Sequence, residues 1–309
     1  MQGGTRFYSI SNYLKEQFGR KTVKLSIDAG FTCPNRDGSC GYGGCAFCSG
    51  GGSGELASSI TAGPGEISAT LDEQIALMSD KWPDAAYIAY FQAHTNTYAP
   101  VSELRRLYNE ALDDPRIEGI AIATRPDCLG DDVLDLLEEI NSSHFMWVEL
   151  GLQTIHPETS EAMGIGYTLD VYDRAVDELI SRGIRVVTHL ILGLPGETED
   201  MMLESVRYVC SRDIFGIKLH LMNIVRTSRL GEQMPDYVPF SSIEEYVDLV
   251  IRCLEIIPPE ITIHRLTGDV PRRLLISPEW SYKKRTILNM INSELVRRDT
   301  FQGRLCAAR

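Results

Sequence analysis

An apolar strand followed by an amphipathic helix recurs along almost the whole chain, and this alternation restricts the fold more than any other feature. Candidate strands are Val23–Ala29, Ala86–Phe91, Gly119–Ala123, Phe145–Leu150, Arg185–Leu192, Gly216–Leu221 and Ile261–Arg265. Candidate helices lie near 66–81, 101–113, 130–140, 170–182, 198–212, 241–256 and 279–298. In the 170–182 segment Val171, Ala175, Val176, Leu179 and Ile180 share one helical face, and Gly183 follows as a stop. Strands alternating with helices predict an α/β fold with a mainly parallel sheet and helices outside. Six or seven such units without a dinucleotide fingerprint predict a barrel, complete or partial, rather than an open doubly wound sheet.

In that architecture the chemistry sits at the C-terminal ends of the strands, and the polar clusters fall there. The first strand leads to a cysteine-rich loop, and the second to Gln92, His94 and Asn96. The third leads to Arg125 and Asp127, the fourth to Gln153, and the fifth to a GLPGET turn. Five units therefore predict one active-site mouth.

The 309 residues are read as a single domain, with a core over about 22–265 and a basic helical extension over about 266–309. No apolar run approaches the roughly 20 residues needed to span a bilayer, and the first residues lack an apolar signal core. The expectation is a cytoplasmic protein with no membrane partner. The net charge of −13 is uneven: residues 265–309 carry +6 and residues 1–27 carry +4, on a centre of −23. Basic ends on an acidic body suit a polyanionic partner such as RNA; they equally suit ordinary solvated surface charge.

Four of the eight cysteines fall in DAGFTCPNRDGSCGYGGCAFCSGGGSG, and the others, Cys128, Cys210, Cys253 and Cys306, are scattered and read as packing residues. Clustered cysteines in a cytosolic chain point to metal or redox chemistry. Cys33, Cys45 and Cys48 form C-x11-C-x2-C, with Phe47 before the last. Three thiolates can hold a [4Fe–4S] cluster with one iron left open for a small molecule. The glycines let the loop wrap closely and free backbone N–H groups for the cluster sulfurs. The competing reading is a zinc site of Cys33, Cys40, Cys45 and Cys48, whose spacing lacks paired CxxC knuckles. Cys40 either replaces Cys33 as a ligand or stands by.

This loop resembles that of the radical S-adenosylmethionine (SAM) superfamily. With YFQAHTNTYAP, TRPDCL, VELGLQT, HLILGLPGET and IKLHLMNIVRTSRL in order, the chain resembles the YhcC/YtqA (MnmL-type) family over nearly its whole length. That family is similar to the radical SAM part of the Elongator catalytic subunit. The resemblance implies a partial (β/α)6-type TIM barrel with N- and C-terminal extensions, a [4Fe–4S] cluster on Cys33, Cys45 and Cys48, and reductive cleavage of SAM to a 5′-deoxyadenosyl radical that abstracts hydrogen from substrate. It places Arg125 at the SAM carboxylate, Glu149 or Gln153 at the ribose hydroxyls, and the Gly193–Glu197 turn near adenine or methionine. FQAHTNTY stands where the superfamily has a glycine-rich motif, leaving Gln92 and Thr95 to meet the SAM amine. His94, Lys218 and His220 are the catalytic candidates, and Arg226 follows the sixth strand with them.

The resemblance further implies a tRNA substrate: carboxymethylaminomethyl-uridine at the wobble position, taken to aminomethyl-uridine. An electron donor such as flavodoxin or ferredoxin, and a tRNA methyltransferase acting on the product, are the implied partners. Arg272, Arg273, Lys283, Lys284, Arg285, Arg297 and Arg298 could lie along RNA phosphates, and Tyr98, Trp280 or Tyr282 could stack an extruded base or simply pack. Two alternatives stand beside this reading: a radical SAM enzyme of a small metabolite, and a non-catalytic RNA-binding protein stabilised by zinc or a cluster.

Overall fold

The computed structural model describes residues 5–52, 58–59, 65–268 and 270–306. The glycine run beyond Gly52 lies mostly outside the described residues. The strands are β1 (Thr22–Asp28), β2 (Ser58–Ser59), β3 (Ala86–Phe91), β4 (Ile117–Thr124), β5 (Phe145–Gln153), β6 (Arg185–Leu192), β7 (Gly216–Leu221), β8 (Ile224–Val225), β9 (Thr262–Arg265) and β10 (Leu275–Ser277). The helices are α1 (Ile10–Phe18), α2 (Glu66–Ser79), α3 (Val101–Leu112), α4 (Asp131–Ser143), α5 (Pro157–Ala162), α6 (Leu169–Ser181), α7 (Glu199–Ser211), α8 (Arg229–Gln233), α9 (Ile243–Ile256) and α10 (Lys284–Arg297).

Eight strands form one parallel sheet in the order β2-β1-β3-β4-β5-β6-β7-β9. Each new strand is laid beside the last, with a helix returning the chain across the outer face, and the sheet curls into an open-sided half-barrel. Strand alternation divides the two faces. Ile120, Ile122, Val148 and Leu150 point outward into the main core, where they meet Leu104, Leu137, Tyr172 and Leu179 of α3, α4 and α6. Full burial of each such Leu or Ile stabilises by about 1.5–3 kcal/mol.

The inner face has its own small core. Ile88, Tyr90, Ala121, Ala123, Trp147 and Val187 pack against Ile10 and Leu14 of α1, which forms a floor under the strands. Ser9 starts α1 by accepting the Asn12 N–H at 3.2 Å. Gly19 ends it at φ 69, returning its N–H to Lys15, a left-handed position that glycine adopts without a Cβ clash. The residues just before α1 run along β9, where the Ile263 N–H donates to the Tyr8 carbonyl at 2.8 Å. That pairing covers a sheet edge that would otherwise expose unpaired backbone groups.

The expected strands and helices are present with ends shifted by a few residues. The last helix begins at Lys284 rather than 279, because Glu279–Tyr282 forms a 3-10 turn after Pro278. Beyond the barrel, β10 pairs antiparallel with β8, and α10 lies on α9 through Ile287, Ile291 and Leu295. No helix among the described residues is long and apolar enough to cross a membrane.

Candidate active site

One cavity opens at the C-terminal ends of the strands, and the cysteine loop forms one of its walls. Cys33, Cys45 and Cys48 line it together with Arg36, Gly44 and Phe47. The loop is held at several points. The Asn35 amide donates to the Gly164 carbonyl at 2.6 Å and to Cys45 Sγ at 3.4 Å. The Ala46 N–H donates to Met163, and the Ala46 carbonyl accepts from Leu230 N–H, each at 2.8 Å. Gly44 has φ 82, and a Cβ there would press on the Arg36 guanidinium, which itself donates to the Ser49 and Gly50 carbonyls. A hydrogen bond from Cys48, with the Arg125 charge and the Asn35 amide, brings the Cys45 thiol down to about 7 against the effect of burial. The same contact and burial push the Cys48 thiol well above its ordinary value, so the pair shares one proton between two close sulfurs, a donor set suited to iron–sulfur ligation. Cys40 is exposed and lines a different cavity with Ser39, Tyr98 and Cys128, so the four loop thiols do not face one point. Among the described residues no three His, Cys, Asp or Glu side chains are set to grip a single ion. With Cys40 apart, the three thiols left around the cavity fit a three-thiolate cluster better than a four-cysteine zinc site.

Arg125 lies beyond β4, only 7% exposed. Its fork meets both oxygens of Asp127, at 2.9 and 2.7 Å, its third nitrogen donates to Ile165, and its plane lies 4.7 Å over the Tyr167 ring. Burial opposes the charge, but Asp127 more than restores it. The guanidinium is thus a fixed positive group beside Cys33 and Cys45.

The opposite wall is built from inward positions of β3, β5, β6, β7 and β9. Glu149 is fully buried. It accepts from Tyr90 at 2.7 Å, Trp147 Nε1 at 2.9 Å, His189 Nε2 at 2.8 Å and the Lys218 ammonium. Lys218 also donates to Tyr90 at 2.8 Å. Burial pushes the Glu149 pKa up, yet Lys218 and His189 outweigh it and hold it well below the usual carboxylate range. Burial lowers His189 to about 4, with the Lys218 charge adding to it, so the ring is neutral. Burial lowers the Lys218 pKa well below the ordinary lysine value against the pull of Glu149, and the carboxylate is held inside the fold because each of its oxygens has a donor.

Above this layer the wall is different. His220 lies with its ring centroid 5.0 Å from that of His189, and its Nε2 is buried without a hydrogen-bond partner. Burial, then the Arg265 charge, hold its pKa well below the ordinary histidine value. Asn223 donates to Leu221 at 3.1 Å, while its Oδ1 is buried and unpartnered. Arg265, the last residue of β9, stands opposite Lys218 in register and lines the same cavity.

Of the residues singled out in the sequence, Gln92, His94, Thr95, Arg125, Glu149, Gln153, Lys218 and His220 join the three cysteines around this cavity. Gln153 and His94 hold left-handed backbone, at φ 72 and 58, where β-carbon strain is expected and local function concentrates. Gly193 and Glu197 are not among the lining residues: Gly193 packs against Pro239 and Phe240, and Glu197 accepts from Thr154. Arg226 is exposed and also outside the lining. Tyr90, Tyr167, His189, Asn223 and Arg265 were not singled out. Strand alternation would have found Tyr90 and His189, and the strand-end rule would have found Arg265.

Residues 33–209 match the Radical SAM superfamily, and residues 214–297 match the Radical_SAM C-terminal domain. The chain is 44% identical to the uncharacterized protein YtqA of Bacillus subtilis, covering 97% of this chain and 92% of that one. It is 36% identical to protein YhcC of Escherichia coli, over 86% and 85%. A tRNA uridine(34) acetyltransferase of Methanocaldococcus jannaschii is 25% identical over 52% of this chain and 30% of its own length. Among solved structures, the Elp3 of Methanocaldococcus infernus superposes with a TM-score of 0.65 at 14% identity, over 91% of this chain and 64% of that one, a likeness of fold. Sequence match, half-barrel and cysteine wall agree: this chain belongs to the radical SAM superfamily, whose members use a [4Fe–4S] cluster and SAM.

Proposed function

We propose that this radical SAM enzyme acts on the wobble uridine of tRNA, converting carboxymethylaminomethyl-uridine to aminomethyl-uridine. The observation that carries the substrate class is the similarity, over half of the chain, to a tRNA uridine(34) acetyltransferase and to Elongator complex protein 3. The surface supports it. Arg272, Arg273, Lys283 and Arg285 are exposed, and Arg272 stacks 4.6 Å over the exposed ring of Tyr282. Val270, which lines the cavity, immediately precedes this basic stretch. Cations flanking an exposed aromatic suit an RNA backbone and an unstacked base. Arg297 and Arg298 contribute less, since both are engaged with Glu294 and Arg298 also with Asp248.

In this reading Cys33, Cys45 and Cys48 hold the cluster, and Gln92, Thr95 and Gln153 present polar groups to SAM. When bound, the cluster and SAM supply hydrogen-atom abstraction. Arg125 sets a positive field beside the thiolates while Asp127 and Tyr167 fix its position. The Glu149 network keeps the cavity wall rigid, and the apolar floor that α1 forms under the strands excludes water from below. A low-potential flavodoxin or ferredoxin serves as electron donor, and a tRNA methyltransferase takes the product.

Nucleoside mass spectrometry of total tRNA, with and without the gene, tests the reading. Carboxymethylaminomethyl-uridine accumulates in the null strain, aminomethyl and methylaminomethyl forms disappear, and Cys48→Ala fails to restore them. An unchanged nucleoside profile would remove tRNA from the reading and direct it to a small metabolite.

A further inference from the structure

The cavity wall holds three polar groups that the Glu149 network leaves unused: Asn223 and His220 above it, and Arg265 beside it, opposite Lys218. Arg265 is half-buried at the end of β9 and lines the cavity. Among the described residues its guanidinium makes no hydrogen bond and no ion pair. Its N–H donors are not among the buried unpartnered atoms and open onto the cavity, and the group that fits such a fork best has two coplanar oxygens, as a carboxylate does. In the same cavity lining, the Asn223 Oδ1 and the His220 Nε2 are buried and unpartnered, and the Arg265 charge is felt at His220. Asn223 spends its amide N–H on Leu221, so what it offers the cavity is an acceptor. His220 is neutral and offers its unpartnered nitrogen. Gly268 holds the Asn223 amide in this pose, since a Cβ there would run into its Nδ2.

A cation beside two groups that can accept calls for a ligand with a carboxylate and, next to it, an N–H donor. A phosphate would satisfy Arg265 but would set its oxygens against the Asn223 carbonyl oxygen. The Glu149–Lys218 layer cannot serve instead, because its donors and acceptors are already matched to one another. Resting on the tRNA reading above, we propose that Arg265 grips the carboxylate of the carboxymethylaminomethyl group, while Asn223 and His220 meet its amine. This arrangement would hold the intervening methylene between the two anchored ends, facing the cysteine wall across the cavity. Aminomethyl-uridine lacks the carboxylate, so the site also explains how product would leave.

The test is binding to the cluster-loaded enzyme with SAM present, using an anticodon stem-loop RNA that carries either carboxymethylaminomethyl-uridine or aminomethyl-uridine. Wild type binds the first about ten- to a hundredfold more tightly, the range expected for hydrogen bonds to a charged group. Arg265→Gln loses that preference, Arg265→Lys keeps part of it, and both retain wild-type affinity for SAM without RNA. Gly268→Ala, which displaces Asn223, weakens the preference less than Arg265→Gln does. If wild type discriminates and Arg265→Gln discriminates equally, the carboxylate site is wrong while the tRNA reading stands. If Arg265→Gln instead loses SAM affinity, the guanidinium serves the cofactor and the proposal falls. A wild type that does not distinguish the two RNAs overturns the carboxylate site and leaves the tRNA reading to the nucleoside profile.

Discussion

Two layers of one cavity wall, built on neighbouring strands, treat their polar groups in opposite ways. In the lower layer Tyr90, Glu149, His189 and Lys218 satisfy one another, and Trp147 completes the carboxylate. In the upper layer, His220 two residues further along β7 and Asn223 just past that strand hold unused acceptors, and Arg265, level with Lys218 at the end of β9, lines the same cavity. The side chains are of similar chemistry and are held by the same sheet. A saturated network is a structural element, whose loss is felt in stability. An unsaturated one near a cavity is held ready for something that is not protein, and its loss is felt in binding or turnover.

The largest effect that would sharpen this contrast is on the lower layer. Lys218→Met leaves Glu149 ionised or forced to take a proton inside the fold, and should destabilise the chain by about 3–5 kcal/mol in urea unfolding. Loss of less than about 1 kcal/mol would mean that the lower layer is not a structural unit. The second effect is on pH. His189 titrates near 6.5 when unfolded but is held at about 4 in the fold. Between those values the unfolded chain binds more protons, so stability rises with pH across the window and is fully present above it. As pH falls to 4, on the order of 3 kcal/mol is lost from this group. Glu149, depressed in the fold, adds to the acid sensitivity in the same direction. Unfolding profiles of His189→Gln should be flatter than wild type between pH 4 and 6.5; an identical slope would assign the acid sensitivity elsewhere. The smallest effect on stability belongs to the upper layer. His220→Phe keeps a ring against His189 and removes an unpaired nitrogen, so stability should stay within about 1 kcal/mol of wild type. Turnover should fall by about tenfold or more. A variant that melts early but turns over normally would reverse the roles given to the two layers.

The cysteine wall was legible because its signal is local. Cys33, Cys45 and Cys48 fall within one glycine-rich loop, and a short loop after a strand brings its residues together whatever the rest of the chain does. The barrel was legible for a related reason: periodicities of 2 and 3.6 mark strands and helices without knowledge of their partners. The Glu149 network was half visible. A carboxylate among apolar strand residues requires a partner, but nothing along the chain names Lys218 or Tyr90, 69 and 59 positions away. Arg125 is expected at the SAM carboxylate, and the fold fixes its guanidinium on Asp127, two residues on, a partner that the local TRPD sequence already contains. Gly193 and Glu197 sit at a strand end as the strand-end rule requires, yet the turn packs away from the cavity lining against Pro239 and Phe240.

By itself the sequence determined the repeating β/α unit, the inward and outward faces of each strand, and a loop able to wrap a cluster, because all three depend on contacts between near neighbours. Tertiary structure alone decided which inward residues share a layer. That depends on register: Lys218 stands opposite His189 on one side and Arg265 on the other, and a slip of β7 by one residue would turn Lys218 to the outer face and break the set. Whether a buried charge is spent or left available is therefore settled only when the sheet closes, since pairing is a property of distance in space and not of position in the chain.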